Sequence, residues 1–117
     1  MCLRSVRVTR RRFAGPAGSI FKFSASGQLL ATFGETGSGQ AAEFRSPGGL
    51  ALDRSGNIYV ADLANLRVVK LAPDGTFIES IGEGVLKDPN YVAVASDCTL
   101  YVSDYRRVVR FAPRGGC

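Results

Sequence analysis

The residues best placed to do chemistry in this chain are carboxylates and guanidiniums at fixed offsets. Asp62, Asn65 and Arg67 lie close together, and Asp104 with Arg107 repeats the outer pair. A carboxylate and an amide side chain hydrogen-bond to turn backbone, and an arginine pairs with the aspartate. Such sets build turns, so both are assigned a structural role. The means for catalysis are missing. The chain has no histidine, which removes the commonest general base, the serine triads and the commonest zinc ligand. Asp53, Asp62, Asp74, Asp97 and Asp104 are carboxylates of the kind that calcium-dependent hydrolases converge on a metal. Each of them, however, falls at a turn or a strand end. The run Gly34-Glu-Thr-Gly-Ser-Gly39 invites a phosphate cradle, but it lacks the Gly-Lys-Ser/Thr ending and no helix follows. The expectation is a non-enzyme with no cofactor and no metal.

The elements that carry these residues are repeated. Pro47-Gly-Gly-Leu-Ala-Leu-Asp…Asn57-Ile-Tyr-Val-Ala-Asp62 returns as Pro89-Asn-Tyr-Val-Ala-Val-Ala…Thr99-Leu-Tyr-Val-Ser-Asp104, at a constant spacing of 42. Arg67-Val-Val-Lys-Leu-Ala-Pro73 returns as Arg107-Val-Val-Arg-Phe-Ala-Pro113 at a spacing of 40, so the turn before Arg107 is two residues shorter. Upstream, Ile20-Phe-Lys-Phe23…Gly27 to Gly34 matches Val68-Val-Lys-Leu71…Gly75 to Gly82 at a spacing of 48. The six extra residues fall in the loop Glu35–Ser46.

Within a unit, Leu50–Asp53, Ile58–Ala61, Val68–Leu71 and Phe77–Ile81 read as four short strands. They are rich in β-branched residues and are separated by Ser55-Gly56 and Asp74-Gly75 turns. A period near 40 made of short strands is the mark of a β-propeller blade. The fold class is therefore all-β, with blades of four antiparallel strands, about two and a half in number. Residues 19–48 form a half blade, 49–90 a full blade and 91–117 an incomplete blade. Repeat matching gives nine strands, or ten with Leu3–Val8. Propellers close with about 4–8 blades, so the remaining blades are expected from a longer parent chain or from self-association.

Charge and cysteine usage set apart the two ends. The net charge is +5, and the first 34 residues hold six of the fifteen bases and none of the ten acids. Residues 1–18 read as a disordered basic arm, able to meet phosphate or an acidic surface or to act as a targeting segment. No run approaches the length of a membrane span, and no secretory signal is recognisable. A reducing, cytoplasmic setting is expected. The cysteines, Cys2, Cys98 and Cys117, are odd in number and match no metal knuckle, so free thiols are expected. Cys98 stands where the first unit has Gly56. The second turn should therefore differ in shape, because Cys disfavours positive φ.

The pattern Gly56-Asn-Ile-Tyr-Val-Ala-Asp62-x-x-Asn65-x-Arg67-Val, followed by Pro-Asp-Gly and by Phe77-x-x-x-x-Gly82, resembles the NHL repeat. Phe44-x-x-Pro47-x-Gly-x-Ala-x-Asp53 fits the start of such a repeat. The likeness covers about residues 19 to 115 and is most specific over 44–82. The second unit lacks the turn Gly and the Asn, and keeps Asp104 and Arg107. The resemblance implies a propeller of six blades in most relatives. The best-known bearers are tripartite-motif proteins, in which the propeller follows a zinc-binding ubiquitin-ligase module and a coiled coil. Other bearers are sensor kinases, secreted proteins and an amidating lyase that relies on His ligands. This chain has neither the zinc module nor heptads, so it is expected to be at most the recognition part of such a ligase.

The implied binding surface is one loop face, formed by Glu35–Ser46, Leu63–Leu66, Glu83–Asn90 and Tyr105–Arg106. Its candidates are Phe44, Arg45, Lys87, Asn90, Tyr91, Tyr105 and Arg106. Arg and Lys suit phosphate and Tyr suits an unpaired base, so RNA is one candidate partner. Glu35, Glu43, Glu83 and Asp88 on the same loops repel phosphate, and a protein partner is favoured.

Overall fold

The computed structural model describes residues 3–10, 18–33, 47–113 and 117. Among these residues, ten strands form three antiparallel sheets. The middle sheet is β4 (Pro47–Leu52), β5 (Ile58–Asp62), β6 (Arg67–Leu71) and β7 (Phe77–Ile81), hydrogen-bonded in that order. Before it come β1 (Leu3–Arg10), β2 (Gly18–Ser24) and β3 (Leu29–Phe33); after it come β8 (Pro89–Val94), β9 (Leu100–Asp104) and β10 (Arg107–Phe111). Each sheet is an up-and-down meander, as expected of a blade. The middle blade has four strands and its neighbours three each.

The middle blade presents one face to the first blade and the other to the third. Strand alternation sorts the side chains of β5 and β6 between these faces. Ile58, Val60, Val69 and Leu71 point toward the first blade and enclose Ile20, with Leu50, Ala31 and Phe77 around them. Tyr59, Val68 and Ile81 point toward the third blade and meet Leu100 and Val102, with Val92, Val94, Val109 and Phe111 around them. Both faces of β5 are buried, which explains a strand with no polar alternation. Lys70 is also buried in the second joint, with its Nζ 5.4 Å from the Tyr59 ring centroid. That cation–π contact lets the ammonium leave water.

The innermost strands pack very closely. A Cβ placed on Gly48 would lie 2.7 Å from the carbonyl oxygen of Asn90. Backbone cannot retreat as a side chain can, so Gly48→Ala should lower stability by about 1–3 kcal/mol. Chemical denaturation reads this as a lower midpoint with an unchanged slope.

Leu3–Arg10 is strand β1, the tenth strand that Leu3–Val8 offers, paired along β2 from Leu3–Ser24 to Arg10–Gly18. A ladder to β2 satisfies backbone groups that would otherwise need water. Two expectations require correction. The turn at Cys98 keeps the shape of the turn at Gly56. Cys98 has φ +74° and Gly56 +86°, and their amides donate to Ala95 O and Asp53 O at 2.8 and 3.0 Å. Flanking hydrogen bonds impose the left-handed geometry, and Cys98 bears its strain. Finally, Cys98 is not a free thiol. It is disulfide-bonded to Cys117, with the Cα atoms 6.0 Å apart. In the outer strand β7, Ile78 is the exposed residue.

Candidate functional site

Strand direction puts the connections on two opposite faces. The β5–β6, β7–β8 and β9–β10 connections share one face, and the turns at 53–57, 72–76 and 95–99 share the other. Phe44 and Arg45, with the rest of the 34–46 loop, fall outside the described residues. Lys87, Tyr105 and Arg106 lie on connections of the first face, while Asn90 and Tyr91 lie in strand β8, whose start adjoins it.

Asp104 organises that face. Its buried carboxylate accepts the backbone N–H of Lys87 at 2.8 Å and of Asp88 at 2.6 Å through Oδ1. Oδ2 accepts Arg107 Nε at 3.1 Å and Nη2 at 2.9 Å. Arg107 Nη2 also donates to Val85 O at 2.7 Å. One aspartate–arginine pair thus ties the β9–β10 hairpin to the preceding loop. The Tyr105 N–H donates to Asp88 O at 3.2 Å and closes the tie. Burial works to raise the Asp104 pKa, but the Asp88 and Lys87 amides and the Arg107 guanidinium outweigh it. The carboxyl is held below its ordinary value.

The first unit builds a related arrangement. Asn65 Nδ2 donates to Asp62 Oδ2 at 2.8 Å, and Arg67 Nε lies 3.6 Å from the same oxygen. The counterparts of Lys87 and Asp88, Arg45 and Ser46, are outside the described residues. The longer β5–β6 connection is a short 3-10 helix, Leu63–Asn65, closed by Leu66 at φ +54°. The β9–β10 connection has only two residues, Tyr105 and Arg106.

Tyr105 is unusual. It has φ +58°, a region that costs a non-glycine residue about 1–3 kcal/mol. At the first central position of a two-residue hairpin with positive φ, Gly is the ordinary choice. The Tyr105 side chain is 64% exposed, so burial does not repay the strain. The Arg106 guanidinium lies 5.3 Å from its ring centroid. Nearby, Tyr91 is 70% exposed, Lys87 is exposed, and Asn90 Nδ2 donates to Asp88 O at 2.9 Å. Leu66 and Val85 are exposed apolar residues on the same face. Neither was singled out from sequence, although Gly82 and Gly84, both at positive φ, mark the loop that presents Val85.

The profile of the NHL repeat family matches residues 44–71. The matched stretch contains Asp62, Asn65 and Arg67, the residues of the turn described above. Among solved structures, a protein of unknown function from Bacteroides caccae is similar over 86% of this chain, with a TM-score of 0.59 and 19% identity. That likeness is one of fold. This chain spans 36% of the length of that structure. No curated protein matches the sequence. Among the described residues, no three metal-ligating side chains cluster, and no helix is long and apolar enough to cross a membrane.

Proposed function

We propose that this NHL segment is a non-enzymatic recognition module that binds a protein partner through the face built on Asp104. NHL repeats serve as protein-interaction modules, and the observation that carries the reading here is Tyr105. An exposed aromatic held in a costly backbone conformation, beside an exposed arginine, is an arrangement that stability does not favour. Strain of that kind gathers at binding sites. Tyrosine and arginine are the residues that dominate protein interfaces. The exposed Leu66 and Val85 add apolar area, while Glu83 and the Asp88 carboxylate disfavour a phosphate backbone. In a longer chain supplying a zinc module and a coiled coil, the segment would recognise substrates for a tripartite-motif-type ligase. The Asn57–Arg67 motif is what supports that finer reading.

Tyr105→Gly separates the two roles of the residue. It should raise stability by about 1 kcal/mol, because glycine accepts positive φ. It should also cut retention of the partner by immobilised chain about tenfold or more, as expected of a hot-spot tyrosine. Retention from an extract of the source organism, quantified for both variants, checks this. Unchanged retention by the stabilised variant would reject the site. A mixed-sequence single-stranded RNA is the control probe: binding that falls steeply with salt would move the assignment to RNA.

A further inference from the structure

Strand β10 holds the 82–88 loop from both of its ends. At its start, Arg107 Nη2 donates to Val85 O at 2.7 Å. At its finish, the Phe111 ring rests against the same loop. A Cβ built on Gly82 would lie 3.1 Å from Phe111 Cζ and 2.6 Å from Leu86 Cδ1. Gly82 has φ +82°, and its carbonyl accepts the N–H of Val85 at 3.0 Å and of Leu86 at 2.9 Å. The loop then runs into Lys87 and Asp88, whose amides bind Asp104. The Arg107 end of β10 is thus fixed by a buried carboxylate. The Phe111 end pairs with Leu100 of β9. Beyond that pair it is closed by the disulfide, since Cys117 is bonded to Cys98 in the 95–99 turn.

Cys98 stands where the backbone favours glycine. Its φ of +74° costs a non-glycine residue about 1–3 kcal/mol, and glycine holds the equivalent position, Gly56, at φ +86°. What cysteine adds there is the bond. Both cysteines are only half-buried, so a thiolate from solution can reach sulfur. We propose that Cys98–Cys117 is a thiol-responsive clamp, which keeps Phe111 seated on Gly82 and Leu86 and so holds the Val85–Asp88 part of the loop face. Reduction by a dithiol proceeds through a mixed disulfide. The S–S bond takes up two electrons and two protons and becomes two thiols, and the dithiol leaves as its own disulfide. The β9–β10 pair then loses its covalent closure at the Phe111 end and keeps the Asp104–Arg107 tie at the other. Phe111 leaves its seat more often, and the Gly82–Leu86 turn opens with it. The clamp does not depend on what the loop face binds.

Amide exchange read by NMR on the 117-residue chain tests this, first oxidised and then treated with dithiothreitol. Reduction should speed exchange at Val85 and Leu86 about tenfold or more, the mark of a local opening. The amides of the β5–β6 ladder should keep their rates, and re-oxidation should restore protection at Val85 and Leu86. Phe111→Ala should expose the same two amides with the bond intact, and reduction should then add little. Unchanged exchange at Val85 and Leu86 after both thiols are shown to be free would overturn the clamp. Equal acceleration at every amide would also overturn it, because the bond would then stabilise the whole fold and not this loop. Should Phe111→Ala fail to fold, the wild-type comparison still decides.

Discussion

Asp104→Asn should lower the stability of the chain by about 2–4 kcal/mol, the largest loss expected from any change that keeps side-chain shape. The carboxylate is fully buried and accepts four hydrogen bonds, two from backbone amides and two from Arg107. An asparagine removes the charge that strengthens all four and can turn its own N–H₂ toward a donor. Hydrogen bonds to a charged group are worth about 1.5–3 kcal/mol each, and breaking a buried pair costs about 3–5 kcal/mol. The lower figure is appropriate because the Arg107 side chain is 47% exposed and its attraction is screened by water. Denaturant unfolding would give the value. Amide exchange at Lys87 and Asp88 should accelerate in the same variant, since both N–H groups lose their acceptor. A loss under about 0.5 kcal/mol, the ordinary range for a surface change, would show that the tie is not structural.

The same pair sets an acid limit. The folded Asp104 pKa lies below its unfolded value. Its stabilisation is complete above the unfolded value of about 3.9 and is lost as pH falls through the folded pKa. Stability should therefore hold from pH 7 to about 5 on this account and fall below about 4. Asp74 and Asp97, lowered by hydrogen bonds from Thr76 and Thr99, act in the same direction. Asp104→Asn should flatten the acid part of the profile while leaving the other two contributions.

Cys117→Ser should cost about 3 kcal/mol. The bond to Cys98 closes a loop with a sequence separation of 19, and cross-linking a loop of that size removes about 3 kcal/mol of unfolded-chain entropy. Thiol-reducing agent should lower the wild-type unfolding midpoint by a similar amount and leave Cys117→Ser unchanged. A wild-type midpoint insensitive to reductant would contradict the bond. Cys98 itself is a poorer test. Its φ of +74° is strained, so Cys98→Gly would relieve strain while breaking the bond.

What the sequence disclosed follows from physical regularity. The 42-residue spacing survives because Tyr59 and Tyr101, or Asp62 and Asp104, must keep their place in equivalent ladders. A slip by one residue would turn every side chain to the wrong face. The turn role of Asp62 and Asp104 was legible because carboxylates at strand ends have few other uses. The reach of Asp104 across to Lys87 and Asp88 was not, since it depends on how blades stack. The disulfide was hidden by an odd cysteine count, from which no pairing can be deduced. Strand β1 was legible only in part: Leu3–Val8 offers a tenth strand, but its basic charge also reads as an arm, although charge is a normal feature of edge strands. The strain at Tyr105 has no sequence signal beyond the two-residue shortening of its hairpin.

The most direct test of loop-face recognition is site-specific photo-crosslinking. A photoreactive phenylalanine analogue would replace Tyr105 in one preparation and Ser55, exposed on the opposite face, in another. Both chains would be irradiated in the same cell extract. The account predicts a discrete protein adduct from position 105 that is absent from position 55. An adduct from position 55 with none from position 105 would contradict it.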